Sequence, residues 1–410
     1  MYNVYDIRKQ FPMLNHDKKM QGEKLVFLDN CSTTFKPQCV INEITRYYTD
    51  MTSNSHRGDY DLCYDMDVEV DKTRQIIANF INAKKDEVVF TSGTTMSINL
   101  VAYGYALKYL HEGDEILLSE AEHASNILPY FKIAELTGAV VKFIPLNDKG
   151  YVTPETLLST ISDKTKIVSL AHVSNVLGYE IDVKELVKIT HRYQSIFVLD
   201  GAQSVPHMKV DFKDLDVDFL CFSAHKMCGP TGIGALVGKS HLLAMCDPFI
   251  LGGGMNVKFN TCGEYISLDS PAKFEAGTQH LAGILGFKAA VLFLESLGMD
   301  AIREHEISLK KYLMERLKDV PHVTIYNKDS EGGILTFNVD GVFSQDEATL
   351  LNSKGIAVRS GQHCAKVLTD YLKTPGTVRA SMYLYTTKEE VDALVEALTN
   401  GGDILDAYFK

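Results

Sequence analysis

Several features that would direct the chain to a metal site, a disulfide framework or a nucleotide loop are missing from its sequence. The eight cysteines include no C-x-x-C pair and show no regular spacing, which argues against zinc and against disulfides. Gly238-Lys239-Ser240 resembles the end of an ATP-binding P-loop, but Ile233 stands where that loop requires its first glycine. The cysteine pattern is typical of reduced thiols in a cytosolic protein.

Charge and hydrophobicity exclude further classes. The 410 residues carry a formal net charge of −12 and no basic run, so we expect no general affinity for nucleic acid or anionic membranes. The most apolar stretch, residues 283–299, is interrupted by Lys288 and Glu295 and is too short to span a bilayer. The first residues are mixed and polar rather than a signal peptide, so we expect a cytoplasmic protein.

Residues 85–240 alternate between short β-branched runs and helix-length segments. The runs are EVVFTS, EILLS, VVKFIPL, KIVSLAHVS, SIFVLD, VDFLCFS and GIGALVG. Strands separated by helices of this length predict crossover units and a mostly parallel sheet. The last two runs are too close for a helix between them, so one of them is predicted to be antiparallel.

The pattern changes beyond about residue 275. A long helical stretch at 282–320 is followed by short strands (HVTIYN, GGILTFNV) and an amphipathic helix at 388–398. We therefore predict an α/β protein with a large domain at 21–275, built on a mostly parallel sheet. A smaller α/β domain follows at 276–410, and residues 1–20 are expected to pack on it.

Two strand ends deliver an amine and an acid. Lys226 follows the apolar run VDFLCF, and Asp200 ends the run SIFVLD. In open parallel sheets, ligands bind at the carboxyl ends of the strands. An amine there can form a Schiff base and an acid can keep a heterocyclic nitrogen protonated, which are the two groups that pyridoxal phosphate requires. Lys226 taken alone would be one of 41 lysine and arginine residues, most of them solvated.

Hydroxyl side chains near other strand ends are candidates for a phosphate site. Thr94 and Thr95 lie in TSGTT, which follows an apolar run and opens a helix. Backbone N–H groups and hydroxyls at a helix N-terminus bind phosphate, although the same residues also serve as ordinary N-caps. Ser223 and His225, beside Lys226, could complete such a site.

A histidine and an amide at two more strand ends are further candidates. His123 could stack on a flat cofactor or move protons, although a single histidine at a helix start is more often structural. His172, Ser174 and Asn175 could hydrogen-bond a cofactor or substrate, although loop capping is the commoner role.

One cysteine differs in setting from the others. Cys364 lies in the polar loop RSGQHCA, where Arg359, His363 and Lys366 are near enough in sequence to favour its thiolate form. Arg379, in TVRAS, is a candidate fork for a substrate carboxylate, against the commoner role of a surface ion pair.

These motifs occur together in a known order. The sequence shows LDNCSTTFKP, HRG at 56–58, TSGTT, AEHASNILP, HVSNVLG, DGAQ, SAHKMCGPTGIG, KFEAGT and RSGQHCA. In this order they resemble class V aminotransferase-fold enzymes, and most of all the SufS-type cysteine desulfurases and the related selenocysteine lyases. The similarity runs from about residue 25 to the C-terminus.

The resemblance implies a homodimer of PLP fold type I that binds pyridoxal 5'-phosphate (PLP). Its large domain would contain a mostly parallel sheet of the seven-stranded kind. It assigns the Schiff base to Lys226, the ring nitrogen to Asp200, the phenolic oxygen to Gln203 and ring stacking to His123. The residues implied at the phosphate are Thr94, Thr95, Ser223, His225 and, from the partner subunit, Thr278. The residues implied at the substrate are Arg379, Arg359, Asn175, Asn30 and His56. No metal is implied.

The resemblance also implies a reaction. L-cysteine would be converted to L-alanine while its sulfur becomes a persulfide on Cys364, which then passes to a sulfur-acceptor protein. Gln362, Lys366 and Ala124 depart from the family's usual residues, so cysteine is not ranked above selenocysteine and the acceptor is not identified. A selenocysteine lyase or another β-eliminating C–S lyase would use the same Lys226. A catalytically silent scaffold of the same fold is the non-enzyme alternative.

Overall fold

Strands and helices alternate along the chain in the structure, a computed structural model that describes residues 2–55 and 58–401. The strands are β1 (Lys19–Met20), β2 (Glu23–Lys24), β3 (Val26–Phe27), β4 (Val88–Thr91), β5 (Glu115–Ser119), β6 (Val140–Ile144), β7 (Thr165–Ala171), β8 (Ile196–Asp200), β9 (Phe219–Ser223), β10 (Gly234–Gly238), β11 (Asn256–Phe259), β12 (Tyr265–Ser267), β13 (Val323–Ile325), β14 (Ile334–Val339), β15 (Ile356–Ala357), β16 (Arg359–Gly361) and β17 (Thr377–Ser381). The helices are α1 (Val4–Arg8), α2 (Pro12–Asn15), α3 (Gln38–Asp50), α4 (Asp61–Phe80), α5 (Thr94–Val101), α6 (Leu107–Tyr109), α7 (Leu128–Thr137), α8 (Pro154–Leu158), α9 (Val183–Arg192), α10 (Phe212–Leu215), α11 (Ser240–Met245), α12 (Leu281–Leu297), α13 (Met299–Leu317), α14 (Ser344–Ser353), α15 (Lys366–Tyr371) and α16 (Lys388–Asn400).

The seven predicted runs form one sheet with the order β4-β10-β9-β8-β7-β5-β6. Pairing is parallel throughout β9, β8, β7, β5 and β6. Strand β10 is antiparallel to both of its neighbours, β4 and β9. The antiparallel strand expected among the last two runs is therefore β10.

Both faces of this sheet are covered, which explains why its strands read as continuous apolar runs. Along β9, Leu220 and Phe222 pack with residues of α4, α9 and α12, whereas Phe219 and Cys221 pack with residues of α5 and α7. This alternation follows from the two-residue repeat of a strand. Because β7, β8 and β9 run parallel, they end at the same rim of a sheet that is buried on both sides.

The long helical stretch predicted at 282–320 is broken. Helix α12 ends at Leu297, and the next residue, Gly298, has a φ of +84° in the left-handed region that favours glycine. Helix α13 then runs at 72° to α12. Among the described residues, no single helix is long and apolar enough to cross a membrane, and α12 and α13 reach that length only as a bent pair. Helix α12 packs against α3 and α4.

A second sheet lies in the C-terminal part of the chain, with the antiparallel order β13-β14-β17-β16. Its core includes side chains of α13 and α16, together with Val26 and Leu28 from the N-terminal part. The N-terminal segment also reaches this region, because Arg8 donates hydrogen bonds to the carbonyl of Tyr385 and to Glu390. The boundaries at residues 21 and 276 stay predictions.

Candidate active site

A cavity of about 190 Å³ lies where β7, β8 and β9 end. Ala171, Asp200 and Ser223 are the last residues of those strands, and all three line it. This is the rim at which open α/β sheets bind ligands. The lining residues are Cys31, Ser32, Thr94, Thr95, His123, Ser125, Ala171, Val173, Asn175, Asp200, Ala202, Gln203, Ser223, His225, Lys226, Arg359 and Arg379.

One end of the cavity is rich in hydroxyl groups at the N-terminus of α5. The backbone N–H of Thr94, the first residue of α5, donates to Ser223 Oγ at 2.8 Å, and the two hydroxyls are 2.8 Å apart. Thr95 Oγ1 lies 2.8 Å from Ser125 Oγ. Gly93 precedes the helix with a φ of +144°, and a Cβ added there would lie 3.0 Å from Ser223 Oγ. A glycine before a helix N-terminus that is rich in hydroxyls has the composition of a phosphate site.

Lys226 and Asp200 face the same cavity, as their positions at strand ends predicted. Burial raises the pKa of Asp200, while the N–H of Ala202, 2.9 Å from Oδ1, and the charge of Lys226 lower it. Burial lowers the pKa of Lys226, and Asp200 acts in the opposite direction. A cationic partner would therefore stabilise the ionised carboxylate of Asp200. The amine of Lys226 gives up its proton more readily than a solvated lysine does.

Two further groups complete this part of the cavity. The Gln203 amide donates through Nε2 to the carbonyl of Cys31 at 2.9 Å, but its Oε1 is buried with no protein partner among the described residues. His123 Nδ1 accepts from the backbone N–H of Ser125 at 3.1 Å. Burial, reinforced by Lys226 and Arg359, lowers the pKa of His123 to about 4, so the ring is neutral at pH 7 and carries its proton on Nε2.

The opposite wall contains two arginines that share one hydroxyl. Arg379 Nη2 donates to Asp29 Oδ1 at 3.1 Å and to Ser32 Oγ at 3.0 Å. Arg359 Nη1 donates to the same Ser32 Oγ at 3.3 Å, and its Nη2 donates to Cys364 Sγ at 3.2 Å. Arg379 is fully buried, and its Nε has no partner within the described chain. A buried guanidinium with an unused N–H is suited to a carboxylate.

The exposed thiol of Cys364 sits on a loop with left-handed backbone. His363 and Cys364 have φ values of +52° and +59°. The loop is fixed by the N–H of Ala124, which donates to the carbonyl of Cys364 at 2.7 Å, and by Asn175 Nδ2, which donates to the carbonyl of His363 at 2.9 Å. Two consecutive non-glycine residues in this conformation are uncommon and mark functional loops.

The expectation that His363 supplies positive charge near Cys364 is wrong. His363 is buried and turned away, with Nε2 2.9 Å from Thr377 Oγ1. Burial, with Arg379 and Arg359 adding to it, lowers the pKa of His363 to about 3, so the ring is neutral at pH 7. The cationic contact to the sulfur comes from Arg359 instead.

Comparison with known proteins assigns the chain to a family. The aminotransferase class-V family model matches residues 26–394. The chain belongs to this family. A probable cysteine desulfurase of Halalkalibacterium halodurans is 45% identical over 399 residues, which cover 97% of each chain.

Solved structures of the family have the same fold. The cysteine desulfurase CsdA of Escherichia coli, in its S-sulfonic acid form, matches with a TM-score of 0.91 and 35% identity over 99% of each chain. The apo structure of a cysteine desulfurase from Thermococcus onnurineus matches with a TM-score of 0.92 and 35% identity over 98% of each chain. The predicted fold class, a mostly parallel seven-stranded sheet of PLP fold type I, is confirmed.

Most of the residues predicted from the sequence meet in this one cavity or at its mouth, two lie outside it, and one is not among the described residues. Asn30 is fully buried behind the wall, where its Nδ2 donates to the carbonyl of Ser381 at 2.6 Å and its Oδ1 accepts from the Tyr385 hydroxyl. Thr278 is exposed and lies outside the cavity. His56 lies outside the described residues.

Sequence reasoning missed four polar residues. Cys31, Ser32 and Ser125 line the cavity. Glu122 lies behind it, fully buried, and accepts hydrogen bonds from Ser119 Oγ, Asn126 Nδ2 and the N–H of Ala171. Burial raises the pKa of Glu122 to about 8. The described residues contain no cluster of three or more His, Cys, Asp or Glu arranged to hold a metal.

Proposed function

We propose that this chain is a PLP-dependent cysteine desulfurase, which converts L-cysteine to L-alanine and carries the sulfur as a persulfide on Cys364. One observation carries the proposal above all. Arg359 lines the cavity that holds Lys226 and Asp200, and it donates to the sulfur of Cys364 at 3.2 Å. The thiol therefore stands at the mouth of a cavity with the amine and the acid that the cofactor requires. The relatives that share 45% and 35% of the sequence carry the same activity in their names.

The cavity fits pyridoxal phosphate on its own groups. The unpartnered Oε1 of Gln203 and the buried carboxyl of Asp200 are polar groups that need a ligand. Asp200 would hold the ring nitrogen, Gln203 the ring oxygen and His123 the face of the ring. Thr94, Thr95, Ser223 and His225 would hold the phosphate. When bound, the cofactor supplies a carbonyl group that bonds to amines and a ring that accepts electrons from the substrate's Cα.

The side chains divide the remaining work. Arg379 binds the substrate carboxylate with the help of its unused Nε–H, with Asn175 beside it. Lys226, whose pKa is lowered by burial, takes up and returns the proton at the substrate's Cα. Cys364 attacks the substrate sulfur as a thiolate, so that an S–S bond forms as the C–S bond breaks, and the rest of the substrate is protonated and leaves as L-alanine.

Two products test the proposal. Purified protein is mixed with L-cysteine, L-alanine is quantified, and intact mass spectrometry looks for one added sulfur. We expect L-alanine together with a mass increase that disappears in the Cys364→Ala variant. L-Alanine production that is unchanged in Cys364→Ala would overturn the persulfide route, and formation of pyruvate and sulfide in place of L-alanine would indicate a β-eliminating lyase.

The persulfide needs an acceptor, and we propose a sulfur-acceptor protein. Cys364 is exposed, so a partner thiol reaches it without unfolding of the loop. All eight cysteines are free thiols, a state maintained in a reducing compartment, so we place the protein in the cytoplasm. Cell fractionation with an antibody to the chain tests that location.

We also propose a homodimer. Large apolar side chains stand exposed at Phe249, Ile250, Leu251, Val257 and Phe259, and exposed apolar patches of this kind mark protein interfaces. The segment that carries Thr278 adjoins this surface, since the N–H of Gly277 donates to the carbonyl of Gly253 at 2.8 Å. Thr278 would thereby reach the phosphate in the partner's cavity. Sedimentation velocity is expected to give a dimer for the wild type and a monomer for Phe259→Asp, and a monomeric wild type would contradict the proposal.

A further inference from the structure

Ser32 is bonded to its full capacity. Its hydroxyl donates to Asp29 Oδ1 at 2.7 Å and accepts from Arg379 Nη2 at 3.0 Å and from Arg359 Nη1 at 3.3 Å. A hydroxyl has one proton to donate and two lone pairs to accept with, so no further partner can be added without the loss of one of these three.

Arg379 cannot receive a carboxylate without changing these contacts. A carboxylate binds a guanidinium best through two parallel N–H groups, such as Nε and Nη2. Nε is buried and free of partners in the described chain, but Nη2 has both its protons engaged, by Asp29 and Ser32. The contact to the charged carboxylate of Asp29 is stronger than the contact to a neutral hydroxyl, so Ser32 is the partner that gives way.

Displacement of Ser32 from Arg379 affects the thiol of Cys364 through Arg359. Arg359 spans the gap between Ser32 Oγ, through Nη1, and Cys364 Sγ, through Nη2. Among the described residues, a Ser32 hydroxyl released by Arg379 has Arg359 as its one remaining cationic donor. The hydrogen bond from Arg359 to Ser32 then strengthens, and Arg359 is held in the orientation in which it donates to the sulfur of Cys364.

We propose that Ser32 is a positioning residue that couples occupation of Arg379 by the substrate carboxylate to the hold of Arg359 on Cys364. The inference rests on the proposed function, because it takes Arg379 as the carboxylate site and Cys364 as the reacting thiol. It adds that the enzyme fixes its nucleophile when substrate is present, through a hydroxyl that touches both arginines.

The test measures the coupling without turnover. The rate at which iodoacetamide alkylates Cys364 is followed in the holoenzyme by peptide mass spectrometry, which separates this thiol from the exposed Cys39 and Cys262. L-Alanine provides the carboxylate, and L-alaninamide is the same ligand without it. A sulfur held against the Arg359 guanidinium is less free to approach iodoacetamide. In the wild type we therefore expect L-alanine to slow alkylation of Cys364 about fivefold, the lower end of typical couplings between sites, and L-alaninamide to leave it unchanged.

Variants isolate the hydroxyl. Ser32→Ala is expected to abolish the slowing of alkylation by L-alanine. Threonine and valine have the same shape, but only threonine has a hydroxyl, so Ser32→Thr should keep the slowing and Ser32→Val should lose it. Ser162→Ala is the matched control, because Ser162 also donates to a carboxylate, Glu115 Oε2 at 2.8 Å, but lies away from the cavity. L-Alanine should still slow the alkylation of Cys364 in Ser162→Ala. Slowing that persists in both Ser32→Ala and Ser32→Val, or that is absent from the wild type, overturns the coupling.

Kinetics separate positioning from a structural role. Because Ser32 competes with the carboxylate for Arg379, Ser32→Ala is expected to lower kcat for L-cysteine without raising KM. A hydroxyl that merely supported Arg379 would raise KM on removal, and that result contradicts the inference. If the wild type makes no L-alanine from L-cysteine, the proposed function fails. If it does so while Ser32→Ala keeps the slowing, the coupling alone fails.

Discussion

The backbone N–H of Ala124 donates a hydrogen bond to the carbonyl of Cys364 at 2.7 Å, which ties the loop of the candidate nucleophile to the segment that carries His123. Cys364 is exposed, and His123, the residue before Ala124, lines the cavity. The contact fixes the position of the thiol relative to His123 through main-chain atoms, so the side chain at position 124 is free to vary.

Ala124→Pro is predicted to lower kcat for desulfuration of L-cysteine about tenfold, roughly the value of one net hydrogen bond. Proline removes the N–H, and it fits the local backbone because Ala124 opens a short 3-10 turn and His123 is already extended, with φ −66° and ψ 145°. L-Alanine production is the measurement. Ala124→Ser keeps the N–H and should retain most of the activity, and equal losses in the two variants would show that the side chain matters instead.

Asp200→Asn is predicted to lower the rate of L-alanine production by about 100-fold or more, a loss typical of removing a group that stabilises developing charge. The amide has the same shape but cannot hold a ring nitrogen protonated. The cofactor should remain bound, with altered visible absorbance. The exposed Asp163→Asn is the control for the loss of one negative charge. Full activity in Asp200→Asn would remove Asp200 from the mechanism.

The sequence was informative wherever local pattern decides structure. Apolar runs predicted all seven strands of the large sheet, and strand ends predicted where Lys226 and Asp200 would meet. The periodic pattern beyond residue 282 was misleading at Gly298, because an apolar face continues across the break and only the backbone turns there.

Contacts between segments that are distant in the chain could not be predicted from the sequence. Ser32 lies 327 residues from Arg359 and 347 from Arg379, so nothing in its neighbours distinguishes it from any other serine. His363 was predicted as a cation because it adjoins Cys364, but the fold buries it against Thr377. Burial of single side chains depends on packing from elsewhere in the chain, and that packing has no local signature.

The buried histidine His363 is predicted to make the protein less stable as the pH falls. Its pKa is about 3 in the folded protein and about 6.5 when unfolded, so between these values the unfolded chain binds more protons and folding loses free energy as pH decreases. From pH 6.5 to pH 5 this single group accounts for about 2 kcal/mol. The loss is complete only below the folded value.

His363→Asn tests that assignment, because asparagine tolerates the left-handed backbone at this position. The free energy of unfolding, from urea titrations followed by circular dichroism, should fall by about 2 kcal/mol less in the variant than in the wild type over that pH interval. The exposed His111→Asn is the control and should follow the wild type. Parallel curves for His363→Asn and the wild type would contradict the prediction.

Gly93→Ala is predicted to weaken binding of the cofactor phosphate about tenfold or more while the protein remains folded, since one displaced charge-assisted hydrogen bond is worth about that factor. The added Cβ would stand 3.0 Å from Ser223 Oγ, the hydroxyl that accepts from the N–H of Thr94, and would push it out of the proposed phosphate site. Gly113→Ala is the matched control, because Gly113 also has positive φ, +84°, but open space around its Cβ position. Both variants carry backbone strain, so only the affinity for pyridoxal phosphate, titrated by its visible absorbance, separates them. Equal affinities in the two variants would place the phosphate elsewhere.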